Sequence, residues 1–411
     1  MKWLGPTWLA VDLSAIGANL QTVQHFTSAQ VCPVIKADAY GHGIKAVSMF
    51  LELKGVTGLA VSDVQEAVEI REAGVQTPIL VLTPVLPEQA STAIEHNLTV
   101  TVSDPRIIIP LAEQALTRQK QLQVHLKINT GLNRIGAAPE LAVDCARQIL
   151  EQKFLQLAGV YTHFAEADSN SLYTKLQLKR LLEVKQAFFD AGLPELIWHA
   201  ANSSALFTLP ESHLDLVRIG TALFGQSRVK LPPDIKLSNT WQLYTRIIQV
   251  HRAAKGEPIG YNRTYITKRD SIIGVIPIGY SDGLGLVPNN GGLRRHLHST
   301  IVQLINKPMQ VSIDGVSCPI VGKIAMGMSC VDLTDHPHAL DLYGAVVSIR
   351  ARRTAINRRI PKTYFLNGKM VLIHWHERFW QPLSKDGTVY VKEISVKAAQ
   401  EILKGRNRYG S

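Results

Sequence analysis

The stretch Val34-Ile-Lys-Ala-Asp-Ala-Tyr-Gly-His-Gly43 joins a short apolar run to a helical pattern. The run 31–35 has the length of a buried strand, and Lys36 follows it directly, where a strand would give way to a loop. The two glycines allow the backbone to turn tightly before the next helix. The sequence therefore predicts a lysine amine at the end of a buried strand, beside the hydroxyl of Tyr40.

An amine at the end of a buried strand loses part of its hydration. This desolvation lowers its pKa and makes it a better nucleophile or base. A lysine in that position, with a hydroxyl and a helix start nearby, suits a Schiff base to pyridoxal 5'-phosphate (PLP). From this stretch alone, an ordinary surface lysine at a turn is an equally good interpretation.

The chain has 411 residues, of which 46% are hydrophobic and 19% charged, enough for a large core and for two domains. It contains no apolar run of about 18 residues, which a transmembrane helix would need. The N-terminus is charged from Lys2 onward and predicts no signal peptide. The four cysteines form no C-x-x-C pair, which predicts reduced thiols, a cytoplasmic protein and no metal site.

The net charge of +11 lies mostly in the last part of the chain. Residues 350–411 contain 14 Lys/Arg against 4 Asp/Glu, so residues 1–349 are nearly neutral. A basic tail can bind nucleic acid or an anionic membrane surface. The aromatic and basic interleaving typical of RNA modules is missing there. We therefore expect a solvated basic surface, with neither nucleic acid nor membrane as a partner.

Short β-rich runs alternate with helical patterns over the first half of the chain. One helix, 63–73, has Ser62 or Asp63 as its cap and Gly74 at its end; 139–152 and 171–191 are also helical. This alternation predicts a (β/α)8 TIM-type barrel, with an open doubly wound sheet as the alternative. The predicted strands are 31–36, 58–62, 78–83, 98–103, 122–128, 157–163, 195–200 and 214–219.

After Leu231-Pro-Pro the pattern changes to strands separated by Gly, Pro, Asn and Asp, which predicts an all-β second domain. We predict a PLP-binding barrel over 1–235, a C-terminal β domain over 236–370 and a basic extension of unknown role over 371–411. The predicted strands of the second domain are 241–251, 272–276, 301–304, 309–311, 318–321, 329–333 and 345–349.

Polar residues lie at or just after the ends of several predicted barrel strands, where the catalytic residues of such barrels are found. Each has an ordinary interpretation as a core histidine or a loop arginine, but the clustering of all of them is harder to explain that way. They are Lys36, Lys127 with Arg134, His163, His199 with Asn202 to Ser204, and Arg218 with Gly220.

These motifs, together with two tyrosine segments, resemble those of the alanine racemases, two-domain PLP enzymes of fold type III. The resemblance spans about residues 7 to 335. It rests on Val34 to Gly43, Lys127-Ile-Asn-Thr-Gly-Leu-Asn-Arg134, Thr162-His163-Phe-Ala, His199-Ala-Ala-Asn202-Ser203, Val217-Arg218-Ile-Gly220-Thr221, Gly260-Tyr261 and Gly279-Tyr280.

The resemblance implies a two-base interconversion of L- and D-alanine. Lys36 would carry PLP and act on one face of the substrate, and Tyr261 of the partner chain would act on the other. Arg134, Met326 and Tyr280 would bind the substrate, and Lys127 matches a lysine that is often carbamylated. The cofactor would be held by Lys36, Tyr40, His163, Asn202, Ser203, Arg218, Gly220 and Thr221.

The family also implies a head-to-tail homodimer and a supply of D-alanine for cell-wall peptidoglycan. A serine or broad-specificity racemase and a catalytically impaired PLP-binding relative are alternatives within the same class. A PLP decarboxylase on the same barrel would need a glycine-rich phosphate loop and a second-domain cysteine donor, and neither is found at matching positions. A single-domain PLP carrier would lack the β domain.

The chain departs from the family pattern at two places. The family usually has aspartate after the methionine that corresponds to Met326, and this chain has Gly327. The family also has an N-Y-E segment, whose tyrosine reaches the cofactor phosphate, between the parts that correspond to Ile349 and Ile356. Here the connection is short and lacks that tyrosine. These departures could alter substrate preference or weaken PLP binding.

Overall fold

The computed structural model describes residues 5–169, 172–286, 308–385 and 388–405, which fall into two compact units. The first strand, β1 (Trp8–Asp12), belongs to the same unit as Trp241–Ser395, called here the β unit. The other, the barrel unit, contains Leu13–Thr240 and the last helix, α10 (Val396–Leu403).

Eight parallel strands form the barrel within the described residues, as the sequence predicts. Six of these strands form one parallel sheet and the other two form a second. Backbone hydrogen bonds connect the two sheets on both sides: Ile35 N donates to Ala60 O (2.8 Å), and Asp215 N donates to Trp198 O (3.1 Å). The other neighbours pair directly, including the first strand with the last. The strands are β2 (Gln30–Pro33), β3 (Leu59–Val61), β4 (Ile79–Pro84), β5 (Leu98–Val102), β6 (Leu122–Lys127), β7 (Leu155–Tyr161), β8 (Ile197–His199) and β9 (Leu216–Ile219).

The longer barrel helices, such as the third and the sixth, bury the apolar residues on one face. The predicted cap of the fourth helix is confirmed: Asp63 Oδ1 accepts from Glu66 N at 3.1 Å, and Gly74 follows the helix with a φ of +78°. The helices are α1 (Leu13–Phe26), α2 (Lys36–Gly41), α3 (Ile44–Leu53), α4 (Val64–Glu72), α5 (Pro87–Glu95), α6 (Ile108–Thr117), α7 (Ala142–Leu150), α8 (Leu172–Asp190) and α9 (Ser203–Thr208).

The strands of the β unit that follow β1 are β10 (Trp241–Arg246), β11 (Gln249–Ala253), β12 (Pro258–Ile259), β13 (Tyr265–Ile266), β14 (Ser271–Ile276), β15 (Gln310–Ile313), β16 (Val316–Val321), β17 (Ser329–Asp332), β18 (Val346–Ile349), β19 (Lys362–Leu366), β20 (Lys369–Trp375), β21 (Arg378–Lys385) and β22 (Thr388–Ile394). Among the described residues, twelve strands form one sheet with the order β11-β14-β17-β16-β15-β18-β10-β1-β19-β20-β21-β22, and β12 and β13 form a separate pair.

The observed units differ from the predicted division at two points. The division falls after Thr240 instead of residue 235. Strand β1 lies in the β unit because it pairs antiparallel with β10 and parallel with β19, contacts that its sequence alone does not reveal. The predicted strand at 301–304 lies outside the described residues.

The basic extension 371–411 is largely ordered structure in its described part. Strands β20, β21 and β22 continue the sheet as antiparallel neighbours. Helix α10 packs in the barrel unit, where Ala399 is fully buried and Gln400 Nε2 donates to Ala73 O at 2.9 Å. The described part of this basic segment is therefore a folded sheet and helix. No helix among the described residues is long and apolar enough to cross a membrane.

Candidate active site

Lys36 begins a turn of left-handed helix. The four residues after it, Ala37 to Tyr40, all have φ between 52° and 55°. For residues with a Cβ this conformation costs about 1–2 kcal/mol each, so a run of four requires contacts from outside the turn. The sequence predicted a tight turn here because of its glycines, but four consecutive left-handed non-glycine residues have no local signal.

Three buried side chains hold this turn. Glu66 of α4 accepts from Ala37 N at 2.5 Å and from Ser62 N at 2.8 Å. Asp38 Oδ1 accepts from Ile44 N at 2.8 Å, which ties the turn to α3. His42 lies between Ala39 O (2.8 Å) and Thr240 Oγ1 (2.7 Å). The position of the lysine thus depends on residues that the sequence analysis did not select.

Arg218, on β9, is the centre of a buried hydrogen-bond network. Its Nη2 donates to Thr162 O (2.7 Å) and Ala200 O (3.0 Å), and its Nη1 donates to His199 Nδ1 (2.7 Å). Because Nδ1 accepts, His199 carries its proton on Nε2, which donates to His125 Nδ1 at 2.9 Å. The network therefore fixes the tautomers of both histidines.

Burial and the Arg218 cation lower the pKa of His125 to about 4 and that of His199 well below its usual value, so both rings are neutral at neutral pH. Burial lowers the pKa of Arg218 to about 10, which leaves the guanidinium charged. His163 lies 3.5 Å from Arg218 Nη2, and burial followed by that cation lowers its pKa to about 3. The site thus contains a fixed cation flanked by neutral imidazoles.

Lys36 and Lys127 share this electropositive end of the barrel. Burial, then Arg134, lowers the pKa of Lys36, while Glu66 acts in the opposite direction. Burial, then Arg218, Arg134 and Lys36, lowers the pKa of Lys127 to about 7. The charges that act on Lys127 are all positive, which favours a neutral amine there and an anion nearby.

Tyr161 is a further residue of the site that sequence analysis missed. Its ring stacks on His199 with a centroid distance of 4.7 Å, and Lys127 Nζ and Arg218 Cζ each lie 5.1 Å from its centroid. Its hydroxyl hydrogen-bonds Thr101 Oγ1 at 2.8 Å. Both basic groups therefore lie within cation–π distance of the same ring.

A small polar cradle follows β9. Ser203 Oγ accepts from Gly220 N (3.1 Å) and Ala222 N (3.3 Å), and its own hydroxyl proton remains available to a ligand. Asn202 caps α9 by accepting from Ser204 N and Ala205 N, both at 3.0 Å, and so fixes Ser203. A Cβ at Gly220 would collide with the Tyr40 hydroxyl, so these two residues approach each other closely. Thr221 lies in the same turn.

The structure thus brings the barrel candidates to the carboxyl ends of the strands. Arg134 is exposed, in the loop after β6, yet its charge acts on both Lys36 and Lys127. The loop is closed where Ala137 N donates to Lys127 O and Asn129 N donates to Ala137 O, both at 2.8 Å. Among the described residues no group of His, Cys, Asp and Glu is arranged to hold a metal ion.

Tyr261, Tyr280 and Met326 belong to the β unit, where neighbouring loops carry them. Tyr280 N donates to Ala325 O at 3.0 Å, and Ser281 N donates to Met326 O at 3.0 Å. The side chains of Tyr261, Tyr280 and Met326 are 68%, 46% and 63% exposed. These three residues, called here the exposed tyrosine strip, present large side chains to solvent from neighbouring loops of the β unit.

The two departures from the family pattern have structural consequences in the β unit. A Cβ at Gly327 would meet no atom within 4 Å, so packing does not exclude a side chain there. The short connection 350–356 lies against the turn after Tyr280: a Cβ at Gly283 would collide with Ala355 O, and Asn357 N donates to Asp282 O at 3.1 Å. A compact loop contact therefore occurs where the family pattern has a longer segment.

Family models for the alanine racemase N-terminal and C-terminal domains match residues 11–228 and 240–357. Alanine racemase 1 of Caldanaerobacter subterraneus subsp. tengcongensis is 32% identical over 396 residues, covering 90% of this chain and 97% of the relative. Alanine racemase of Methanococcus maripaludis is 34% identical over 335 residues, covering 80% and 85%.

Solved structures agree with these sequence matches. Alanine racemase of Clostridium difficile 630 superposes with a TM-score of 0.80 at 28% identity, over 90% of this chain and 98% of that one. The Bacillus anthracis alanine racemase with bound L-Ala-P gives a TM-score of 0.79 at 29% identity, over 90% and 97%. Both domains, in the same order and over most of the chain, place this protein in the alanine racemase family.

Proposed function

We propose that this chain interconverts L-alanine and D-alanine with PLP. The observation that carries the proposal is the desolvated Lys36 amine, placed by a left-handed turn beside two arginines and a polar cradle. Alanine racemases depend on PLP, and the residues present fit that group. Lys36 is the attachment point; Tyr40, Ser203, Gly220 and Thr221 suit its phosphate.

Arg218 suits the cofactor's ring nitrogen, with His163 beside it. A permanent cation at that nitrogen keeps it unprotonated, which limits side reactions. Asn202 acts by fixing Ser203 through α9. When bound, PLP supplies an electron sink that makes the α-proton of an amino acid acidic enough to remove.

Two proton-transfer groups then act from opposite faces. Lys36 accepts or returns a proton on one face because burial lowers the pKa of its amine toward neutral pH. Tyr261 of a partner copy acts on the other face. Arg134 and the Met326 backbone N–H suit the substrate carboxylate, and Tyr280 lies next to Met326.

The exposed tyrosine strip supports a head-to-tail homodimer in which each β unit completes the barrel site of its partner. We also propose a cytoplasmic location and a role in supplying D-alanine for peptidoglycan. The free cysteines Cys32, Cys145, Cys318 and Cys330 are compatible with a reducing compartment.

Gly220→Ala is expected to weaken PLP binding by roughly ten- to a hundredfold, because the added methyl group displaces the Tyr40 hydroxyl at an overpacking cost of about 1–3 kcal/mol. Titration of the apoprotein with PLP measures this effect. Gly58→Ala is the matched control, because its Cβ would make only an ordinary 3.8 Å contact with Pro78 O. Equal PLP affinity in the two variants would contradict the assignment of the cradle.

We propose that Lys127 is carbamylated. Its pKa of about 7 leaves much of the amine neutral at neutral pH; this amine attacks CO2 and loses a proton to give a carbamate. The new anion would pair with Arg134 or Arg218. Carbamylation should rise as pH increases through about 7 and should be detected by NMR with ¹³C-labelled bicarbonate. A labelled signal that persists in Lys127→Ala would show that another amine carries the adduct.

The test of the function is formation of D-alanine from L-alanine by the purified, PLP-loaded protein, with L-serine as the comparison substrate. Faster turnover of alanine supports the proposal. Faster turnover of serine would favour the broader racemase, for which the open space at Gly327 is the motivating observation. PLP attached to Lys36 without turnover of either substrate would indicate an impaired relative.

A further inference from the structure

Glu66 is a buried acid that the proposed mechanism does not use. It is 8% exposed, and it lies in the first turn of α4, three residues after the cap Asp63. An acid at this position usually reaches back to the backbone N–H of its own cap. Here the carboxylate instead joins two other segments: one oxygen accepts from Ser62 N at the end of β3, and the other accepts from Ala37 N.

The second of these bonds crosses 29 residues of sequence and ends on the residue that follows Lys36. Ala37 is also the first of the four left-handed residues. A charge-assisted hydrogen bond at that point opposes the relaxation of the turn into a right-handed conformation, which would redirect the lysine. Resting on the proposed function, we propose that Glu66 is a positioning residue for Lys36, holding its turn left-handed and placing an acidic charge near its amine.

The direction in which the pKa of Lys36 should change distinguishes this electrostatic role of Glu66 from simple packing. The groups that act on Lys36 are Arg134 and Arg218, which lower its pKa together with burial, and Glu66, which raises it. Lys127 and His163 share the same cluster. Asp63 is the acid beside Glu66, and burial raises the pKa of Glu66 itself. Removing the Glu66 charge therefore lowers the pKa of Lys36.

The test is attachment of PLP to the apoprotein as a function of pH, followed by borohydride reduction and mass analysis of the Lys36 peptide. For Glu66→Gln we expect at least about tenfold weaker PLP binding, since a charge-assisted bond is lost. We also expect the midpoint of attachment to shift to lower pH, because the amine loses its proton more readily. General destabilisation would not produce that shift.

Glu72→Gln is the matched control. The substitution makes the same change on the same helix, but in the wild type the Glu72 carboxylate pairs with Lys45 Nζ at 3.3 Å on the surface. It should keep both the affinity and the midpoint of the wild type. A folded Glu66→Gln protein with the same affinity and midpoint as Glu72→Gln would overturn the proposal.

If Glu66→Gln does not fold, Glu66→Asp replaces it. This variant keeps the charge but withdraws the carboxylate from Ala37 by one methylene group. It should therefore bind PLP more weakly with an unchanged midpoint, and unchanged PLP affinity would overturn the proposal. The wild-type measurement distinguishes failure of the Glu66 proposal from failure of the proposed function. A wild type that neither binds PLP nor racemises alanine refutes the proposed function, whatever the variants do.

Discussion

Lys36→Ala is expected to reduce kcat for alanine racemisation on the order of 10⁴-fold or more, because it removes the cofactor attachment and one proton-transfer group together. The substitution leaves the left-handed residues and their contacts with Glu66 and Asp38 in place, so the protein should remain folded. Steady-state formation of D-alanine measures the loss. Borohydride reduction of the PLP-treated variant should leave no cofactor on the 36–43 segment.

Lys54→Ala is the control for this experiment. Lys54 is a surface lysine over the ring of Phe50, with Nζ 5.2 Å from the ring centroid, and its loss should change kcat little. Lys36→Arg adds a second comparison, because it keeps a positive charge that cannot form the covalent link. Activity of Lys36→Ala within about tenfold of the wild type would mean that another residue carries the chemistry.

Tyr261→Phe is expected to slow racemisation by about 10²- to 10⁴-fold, the usual contribution of one positioned acid or base. The loss must be equal in both directions in kcat/KM, because the two enantiomers are equally stable. The asymmetry lies in proton exchange: Lys36 can still exchange the α-proton of D-alanine with solvent, whereas exchange from L-alanine loses its base. NMR in deuterated water follows both exchange rates.

Tyr343→Phe is the matched control, since Tyr343 is 75% exposed in the same β unit and has no proposed role at the site. It should racemise alanine at the wild-type rate. Equal loss of exchange from both enantiomers in Tyr261→Phe would contradict the assignment of the two faces. It would instead indicate that the hydroxyl contributes to binding or to the dimer.

The barrel could be predicted because many of its strands are short apolar runs separated by helical patterns and turn residues. The residues of β3, Leu59-Ala-Val61, for example, are all apolar and buried, and such runs are typical of parallel strands. The capped helix α4 was predictable from Asp63 and Gly74. His163, after β7, and Arg218, on β9, were expected to lie close together because strand ends gather at one end of a barrel, and their side chains are 3.5 Å apart.

Long-range contacts account for what sequence analysis missed. Glu66 matches a local capping pattern, so its bond to Ala37 is invisible in the sequence. His125 and Tyr161 lie inside strands and resemble core residues in sequence, although His125 hydrogen-bonds His199 and Tyr161 stacks on it. Strand β1 reads as part of the barrel, because nothing in its sequence specifies pairing with β10 and β19.

Whether the basic extension is folded also could not be predicted from its composition. The charge excess predicts a solvated basic surface and gives no sign that β20 to β22 pair in register or that α10 buries Ala399, Ile402 and Leu403. Charge composition reports on the surface of a segment and does not report whether the segment is folded.

The most direct test of the account is racemisation of L-alanine carrying deuterium at the α-carbon, in ordinary water, by the PLP-loaded wild type. Two bases on opposite faces predict D-alanine whose α-position carries hydrogen from solvent, since the group that removes deuterium is not the group that returns a proton. D-alanine that keeps its deuterium would contradict the two-base account, and no D-alanine at all would contradict the proposed function.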